Sequence, residues 1–467
     1  MYFRRAGDAA NASFANETAI QHYERLLPLL TTQEQAEVRV QLGEVQAHTG
    51  QWVQAEAQLR AGLAATSLSL QARAQLALGR LLARSQSYAD SIQWLQLARA
   101  SFSELVDEPR LCNTLTHLSF AQLELGELPA AEDTAQQQWR IAQETQDVAG
   151  MAEAQQTLGQ LCLQRGQLVE AQAHLGQALQ LATAQEDPSR SLIIENDIAT
   201  LAWRMNDYPM AFAHFISALG IADRIGFRAW VGVLLGNIGV LLWELGALDR
   251  AAQCQAWALK IALEVGDQSS ELTCLGNIAS LLRDMHSDLT RPILARAITL
   301  GQTLRMPYYL CDHACLATEL AFEQGDFIEA EHYCTLAHEA AQIANDTEVL
   351  FRVRVWRGRI DGVQTLLNET ITPEQAALVY DHIWQLSGLP NDAQRAIDAY
   401  AQLFTKTPRH SYKAHVERIA SGAGLPVPML HTPAWVAPLC ATPLPELTLI
   451  EMDDVDLTQL LREVQGV

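Results

Sequence analysis

A spacing of 40 residues constrains this chain more than any other feature. Gly159, Ala199, Gly239 and Ala279 hold equivalent places in four successive copies of one pattern. Leu158-Gly159, Ile238-Gly239 and Ile278-Ala279 each sit seven or eight residues before a turn at Gly166, Gly246 or His286, after which a second apolar stretch begins. One helical hairpin per copy cannot bury its apolar face alone, so the copies must stack side by side. The predicted fold class is all-α, an α-α solenoid of about nine or ten helical hairpins.

The register extends well beyond those four copies. Small residues anchor the first helix of each hairpin at Gly7, Gly43, Gly79, Ser119, Gly159, Ala199, Gly239, Ala279 and Thr318. Seven residues on lie Gly50, Gly126, Gly166, Asn206, Gly246 and Gly325, which tolerate the left-handed backbone of a tight helix-to-helix turn. Twelve beyond the anchor, an alanine recurs from Ala19 to Ala330. Bulky residues follow four later at Tyr23, Leu59, Leu95, Leu175 and Phe215. Asp147, Asp187 and Asp267 recur between copies, where a helix needs an N-cap.

Two places depart from the pattern. The stretch 286–292 lacks the turn glycine and puts Arg291 where the small residue belongs, which predicts a local slip of packing or register. After Thr318, residues 351–368 form a shortened, Arg-rich hairpin, and 376–404 form a final pair turning at 388–391. The expected organisation is a solenoid over 1–345, degenerate hairpins continuing it over 346–420, and a tail over 421–467. Six prolines between Pro426 and Pro445 forbid a continuous helix. Glu451, Asp453, Asp454 and Asp456 then precede a short helix over 457–464. The tail is either a strap packed on the last hairpin or a peptide that docks a partner.

Charge narrows the partners. A net charge of −22 with only three lysines, Lys260, Lys406 and Lys413, argues against direct contact with nucleic acid or an anionic membrane. It would attract a basic segment of another protein, although acidity is also an ordinary solubility device. The eight cysteines fall mostly in helical apolar patterns and read as small buried hydrophobes of a reducing compartment. With no apolar run of about 18 residues, the expected location is the cytoplasm.

Leu-Gly or Ile-Gly, a Gly turn, then Ala-x-x-x-Phe/Leu-x-x-Ala resembles the tetratricopeptide repeat, over roughly residues 1–345. A 40-residue unit is about six residues longer than usual in that family. It looks like the lengthened variety of bacterial signalling and transcription regulators and of peptide-binding adaptors. The resemblance implies a right-handed superhelix whose inner face binds a peptide or partner protein. The opening thirty residues are similar to the start of the repeat region in large bacterial signalling ATPases and cyclase-linked regulators. That likeness implies a second reading, a sensory or regulatory C-terminal portion of such a protein.

Catalytic signatures do not occur. The chain has no phosphate-binding G-x-x-x-x-G-K-[ST], no G-x-S-x-G, no H-E-x-x-H and no C-x-x-C. The expectation is a non-enzyme without cofactor. Cys311, Cys315, Cys334 and His338 could face one another across a hairpin as a zinc site, or the cysteines could stand in for core alanines. An enzyme built on that cluster, or a cyclase fragment, is the class-different alternative. For binding, the resemblance points to the residues two before each anchor: Asn237 and Asn277 look like the asparagine ladder of lengthened repeats, with Asp197 at the equivalent place. An Asn amide both donates and accepts, so it can pair with a peptide main chain whatever the ligand side chains. One turn on, Trp203, Arg204, Trp243, Glu244 and Arg283 form a second candidate row. The same residues could equally tie neighbouring helices together.

Overall fold

The computed structural model describes residues 2–12, 15–49, 51–85, 87–449 and 456–465. Gly50 and the acidic residues Glu451, Asp453 and Asp454 lie outside the described residues. Every regular element among those described is helical, and the chain packs as two compact units.

Unit 1 (residues 1–205, with 266–268) contains α1 (Tyr2–Ala12), α2 (Asn16–Leu26), α3 (Thr32–His48), α4 (Trp52–Gly62), α5 (Leu68–Arg84), α6 (Tyr88–Glu104), α7 (Glu108–Glu124), α8 (Leu128–Glu144), α9 (Val148–Gln164), α10 (Leu168–Ala184) and α11 (Pro188–Arg204). Unit 2 (residues 206–265 and 269–467) contains α12 (Tyr208–Arg224), α13 (Arg228–Glu244), α14 (Leu248–Val265), α15 (Gln268–Asp284), α16 (Thr290–Leu304), α17 (Pro307–Glu323), α18 (Phe327–Ala344), α19 (Thr347–Arg357), α20 (Ile360–Leu366), α21 (Pro373–Ser387), α22 (Pro390–Lys406), α23 (His410–Ala423), α24 (Val436–Ala441) and α25 (Leu457–Gln465). Within each unit consecutive helices pack as antiparallel pairs, such as α9 on α10 and α17 on α18.

The 40-residue period has a direct structural origin. From α5 to α13 every helix is 17 residues long and is separated from the next by three residues, so a helix with its turn fills 20 positions and a hairpin fills 40. Left-handed residues accordingly recur every 20 positions from Val106 to His286, then at Arg305, Gly325 and Asn345. The turns within hairpins carry the predicted Gly126, Gly166, Asn206, Gly246 and Gly325. The turn between hairpins uses Val106, Gln146, Glu186, Gly226 and Gly266. Asp147 and Asp187 follow as N-caps, accepting from the N–H of Gly150 at 3.0 Å and of Arg190 at 3.0 Å. Asp267 holds the equivalent place before α15.

Val106, with φ 53° and a side chain 77% exposed, pays for this geometry without compensating burial. A β-branched residue is a poor occupant of that region. Val106→Gly is expected to raise stability by about 1 kcal/mol, the relief of left-handed strain less the extra freedom glycine has when unfolded. Urea denaturation of the two proteins side by side checks it, and a destabilised glycine variant refutes it.

The small anchors are small because the partner helix occupies the space a Cβ would need. A Cβ on Gly7 would lie 2.7 Å from the Tyr23 ring, on Gly43 2.7 Å from Leu59 Cγ, on Gly79 2.4 Å from Leu95 Cγ and on Gly159 2.8 Å from Leu175 Cγ. Each bulky partner is fully buried. In the hairpin of α13 and α14, Gln255 stands in the bulky position and donates to the Gly236 carbonyl at 2.9 Å.

The irregular copy at 286–292 resolves by a slip of one position. His286 supplies the left-handed residue (φ 54°), Thr290 becomes the buried small residue at the start of α16, and Arg291 turns outward to pair with Glu329 at 2.9 Å. Residues 351–368 are the C-terminal part of α19 with the short α20, and the final pair is α21 with α22. The proline-rich segment is not wholly extended: Val436–Ala441 forms α24 around Pro438. The tail rests on the last hairpin only at its start, where Leu425 and Leu430 pack against the core of α21, α22 and α23, and then leaves it. Trp435 stacks on Tyr208 of α12, and α25 packs on α14 with Leu461 fully buried.

Candidate functional site

The odd-numbered helices of each unit carry the groove residues selected from the sequence. Burial along α13 and α15 explains which side chains remain available. Leu234, Leu235, Ile238, Leu241 and Leu242 are buried, as are their counterparts in α15, whereas Asn237 and Asn277 are half-buried on the remaining face. Asn277 makes no side-chain hydrogen bond among the described residues. Its neighbour Gly276 must lack a side chain, because a Cβ there would fall 1.9 Å from Nε2 of His313 on α17. The close approach of α17 to α15 at that point therefore depends on glycine.

The unit 2 members of the second row, Trp243, Glu244 and Arg283, are engaged in ties within that unit. Trp243 donates its indole N–H to Asp284 Oδ2 at 2.7 Å. Glu244 accepts from the Tyr208 hydroxyl at 3.1 Å, and the Arg409 guanidinium stands 3.7 Å from it. Arg283 pairs with Glu319 of α17 at 2.7 Å, and Arg352 of α19 holds the other oxygen of that carboxylate. Burial alone would raise the Glu319 pKa, but Arg352 and Arg283 outweigh it and hold the carboxyl at about 2. Asp381 of α21 is likewise lowered: burial opposes ionisation, and Arg418 with His415, both on α23, overcomes it.

Sequence reasoning did not find Glu319, Arg352, Asp381 and Arg418. Their separations of 33 to 37 residues do not match the 40-residue register, and a charged residue in a short C-terminal helix carries no periodic signal. Between them lies a cavity of about 30 Å³, bordered by Glu319, Phe322, Trp356, Asp381, His382 and Arg418. That is room for one water.

In unit 1, Asp197 of α11 is bound laterally. It accepts from Gln156 at 2.5 Å and Gln160 at 3.0 Å, both on α9. Burial raises its pKa to about 6, against those hydrogen bonds. Trp203 is half-buried and Arg204 exposed near the end of the same helix.

Cys311, Cys315 and Cys334 lie in one apolar cluster with Ala314, Ala337 and Val349. Burial pushes the Cys315 thiol up to about 12 and the Cys334 thiol to about 11. No group of three or more His, Cys, Asp or Glu among the described residues is placed to hold a metal ion. No helix among them is long and apolar enough to cross a membrane.

Comparison with known proteins agrees with this architecture. Residues 190–264 match the family model for the tetratricopeptide repeat. No curated protein matches the chain by sequence. Among solved structures, the Rap conjugation gene regulator of the plasmid pLS20, in complex with a Phr peptide, is similar at 13% identity and a TM-score of 0.50, covering 71% of this chain and 96% of that one. A Rap protein complexed with competence and sporulation factor gives 17% identity and a TM-score of 0.49, over 78% of this chain and 99% of the other. A signal transduction ATPase with numerous domains and a tetratricopeptide repeat sensor, from Pyrococcus horikoshii, gives 14% identity and a TM-score of 0.45, over 72% of this chain and 54% of that one. The hairpin register, the small-anchor packing and the matched segment together make this chain a tetratricopeptide repeat protein.

Proposed function

We propose that this chain is a non-catalytic interaction module of a signalling or transcription-regulating system, holding a peptide or extended protein segment against α13 and α15. The observation that carries the reading is Asn277. It is a half-buried amide that makes no side-chain hydrogen bond among the described residues, one repeat beyond Asn237 and on the same helical face. Unspent polar capacity at a partly buried position is costly unless a ligand or water uses it. An amide that both gives and accepts suits a peptide main chain. The Rap regulator, which shares the fold, is a repeat protein of this architecture in complex with a peptide.

The proposal puts the binding weight on Asn237 and Asn277 and gives the row of Trp243, Glu244 and Arg283 the task of holding α12, α13, α15 and α17 in register. Peptides selected by display against the full chain should lose at least about tenfold in affinity for an Asn237→Ala/Asn277→Ala variant, the equivalent of one or two hydrogen bonds. Undiminished affinity with an unchanged melting temperature would remove both asparagines from the site.

A further inference from the structure

A different surface of unit 2 already holds an extended stretch of polypeptide. Beyond α23 the backbone turns at Gly424 (φ 66°), runs irregularly to Trp435, and after α24 remains non-helical through Leu449. Trp435 stacks on Tyr208 in the first turn of α12, with ring centroids 5.9 Å apart and planes 22° from parallel. Arg250, in the first turn of α14, donates to the carbonyls of Cys440 and Thr442, the latter at 2.7 Å. Asp223, in the last turn of α12 and only 8% exposed, accepts the main-chain N–H groups of Thr448 and Leu449 at 2.9 Å, and the Thr448 hydroxyl at 2.9 Å. Arg228, at the start of α13, donates to the Leu449 carbonyl at 2.6 Å.

The geometry is that of an extended ligand on a track. The six residue steps from Thr442 to Thr448 span about 20 Å when extended. The 17 residues of α12 are about 25 Å long. The segment from Trp435 to Leu449 thus meets α12 at its first turn, through Trp435 on Tyr208, and at its last, through Thr448 and Leu449 on Asp223. Apart from the Thr448 hydroxyl and the Trp435 ring, these contacts are made to main-chain atoms, so they do not depend on side-chain identity. Pro438, Pro443 and Pro445 restrict the segment before it binds, which lowers the entropy cost of docking.

We propose that Tyr208, Asp223, Arg228 and Arg250 form a second peptide-binding site, distinct from the asparagine face, and that residues 435–449 are its tethered occupant. The external ligand is a segment of the same chemistry from another polypeptide: an aromatic residue, then a proline-interrupted extended stretch ending in Thr-Leu. It binds where the tail leaves. The proposal does not use Asn237 or Asn277, so its failure and that of the asparagine site are separable.

The test uses the full chain and a fluorescein-labelled peptide of residues 432–449, read by anisotropy. The wild-type chain should bind the peptide weakly, because its own tail competes. Thr448→Pro removes an N–H that Asp223 accepts, frees the tail and should tighten peptide binding at least tenfold. Adding Asp223→Ala and Arg250→Ala should abolish that gain. Equal binding to wild type and Thr448→Pro, or a gain that survives loss of Asp223 and Arg250, overturns the proposal. Hydrogen exchange of the unmodified chain gives an independent reading. The Thr448 and Leu449 amides should exchange at least a hundredfold faster than interior amides of α12 and α14. Equally slow exchange would make the tail a permanent part of the core and sink the idea.

Discussion

Glu319→Ala is expected to cost about 3 kcal/mol of local stability in unit 2, among the largest effects of any single polar substitution in this chain. The carboxylate lies between Arg283 on α15 and Arg352 on α19, so its removal takes from the Arg352 guanidinium the carboxylate it is paired with and leaves Arg283 with Asp284, at 3.4 Å, as its nearest counter-ion. Breaking a buried pair costs about 3–5 kcal/mol because the orphaned charge stays desolvated. The lower figure applies here because about a fifth of the Glu319 side chain, 21%, still meets solvent. Amides of α17 and α19 should then exchange roughly a hundredfold faster or more, at 1.4 kcal/mol per decade. Replacing Glu319 and Arg352 together by methionine should cost less than the sum of the single changes, since the remaining Arg283 keeps Asp284 as its counter-ion.

The same carboxylate fixes a pH response. Its pKa is depressed from an ordinary 4.5 to about 2, so the stabilisation is complete above about pH 4.5 and is lost as the pH falls towards 2. Wild-type protection of α17 and α19 should fall across that window. Glu319→Ala should lack this acid limb, and an identical pH profile in the two proteins would show that the pairing contributes nothing.

What could be read from the sequence is what repeats. Gly159, Gly239, Gly166 and Gly246 announce hairpins because each copy meets the same steric demand at the same place, and the demand reappears as a Cβ that would overlap Leu175 or Gln255. The second left-handed turn was not legible, because Val106, Gln146 and Glu186 adopt it without the residue types that signal it. Asn237 and Asn277 could be singled out because an Asn inside an apolar helix is anomalous on its own. The ionic ties around Glu319 and Asp381 and the clasp on the tail were not legible. Asp223 and Thr448 are 225 residues apart, and nothing local to either records the other. Periodic packing leaves a sequence signature, whereas a contact made once, between distant segments, does not.

Gly79→Val should disrupt unit 1 more than most apolar substitutions, and the reason is geometric. The ideal Cβ at this position falls 2.4 Å from Leu95 Cγ, 2.7 Å from Cδ2 and 3.3 Å from Cδ1. Leu95 therefore meets the new atom at its branch point and cannot evade it by rotating a distal methyl. Leu95 is fully buried in a cluster with Ala98, Phe102, Leu111 and Leu115, so a shift of its whole side chain displaces neighbours that are themselves close-packed. The alternative is for α5 and α6 to separate, which also breaks the 2.7 Å hydrogen bond from the buried Ser91 hydroxyl to the Gly79 carbonyl. Overpacking costs about 1–3 kcal/mol, and an orphaned buried hydroxyl adds about 1 kcal/mol or more. The expected loss is about 3 kcal/mol, seen as faster exchange of α5 and α6 amides while α21 and α22 keep their protection, because stacked repeats feel mainly their neighbours. Adding Leu95→Ala to Gly79→Val should recover part of that loss by making room for the valine, although Leu95→Ala alone is itself destabilising. Additive losses in the double variant would show that the glycine is not there to admit Leu95.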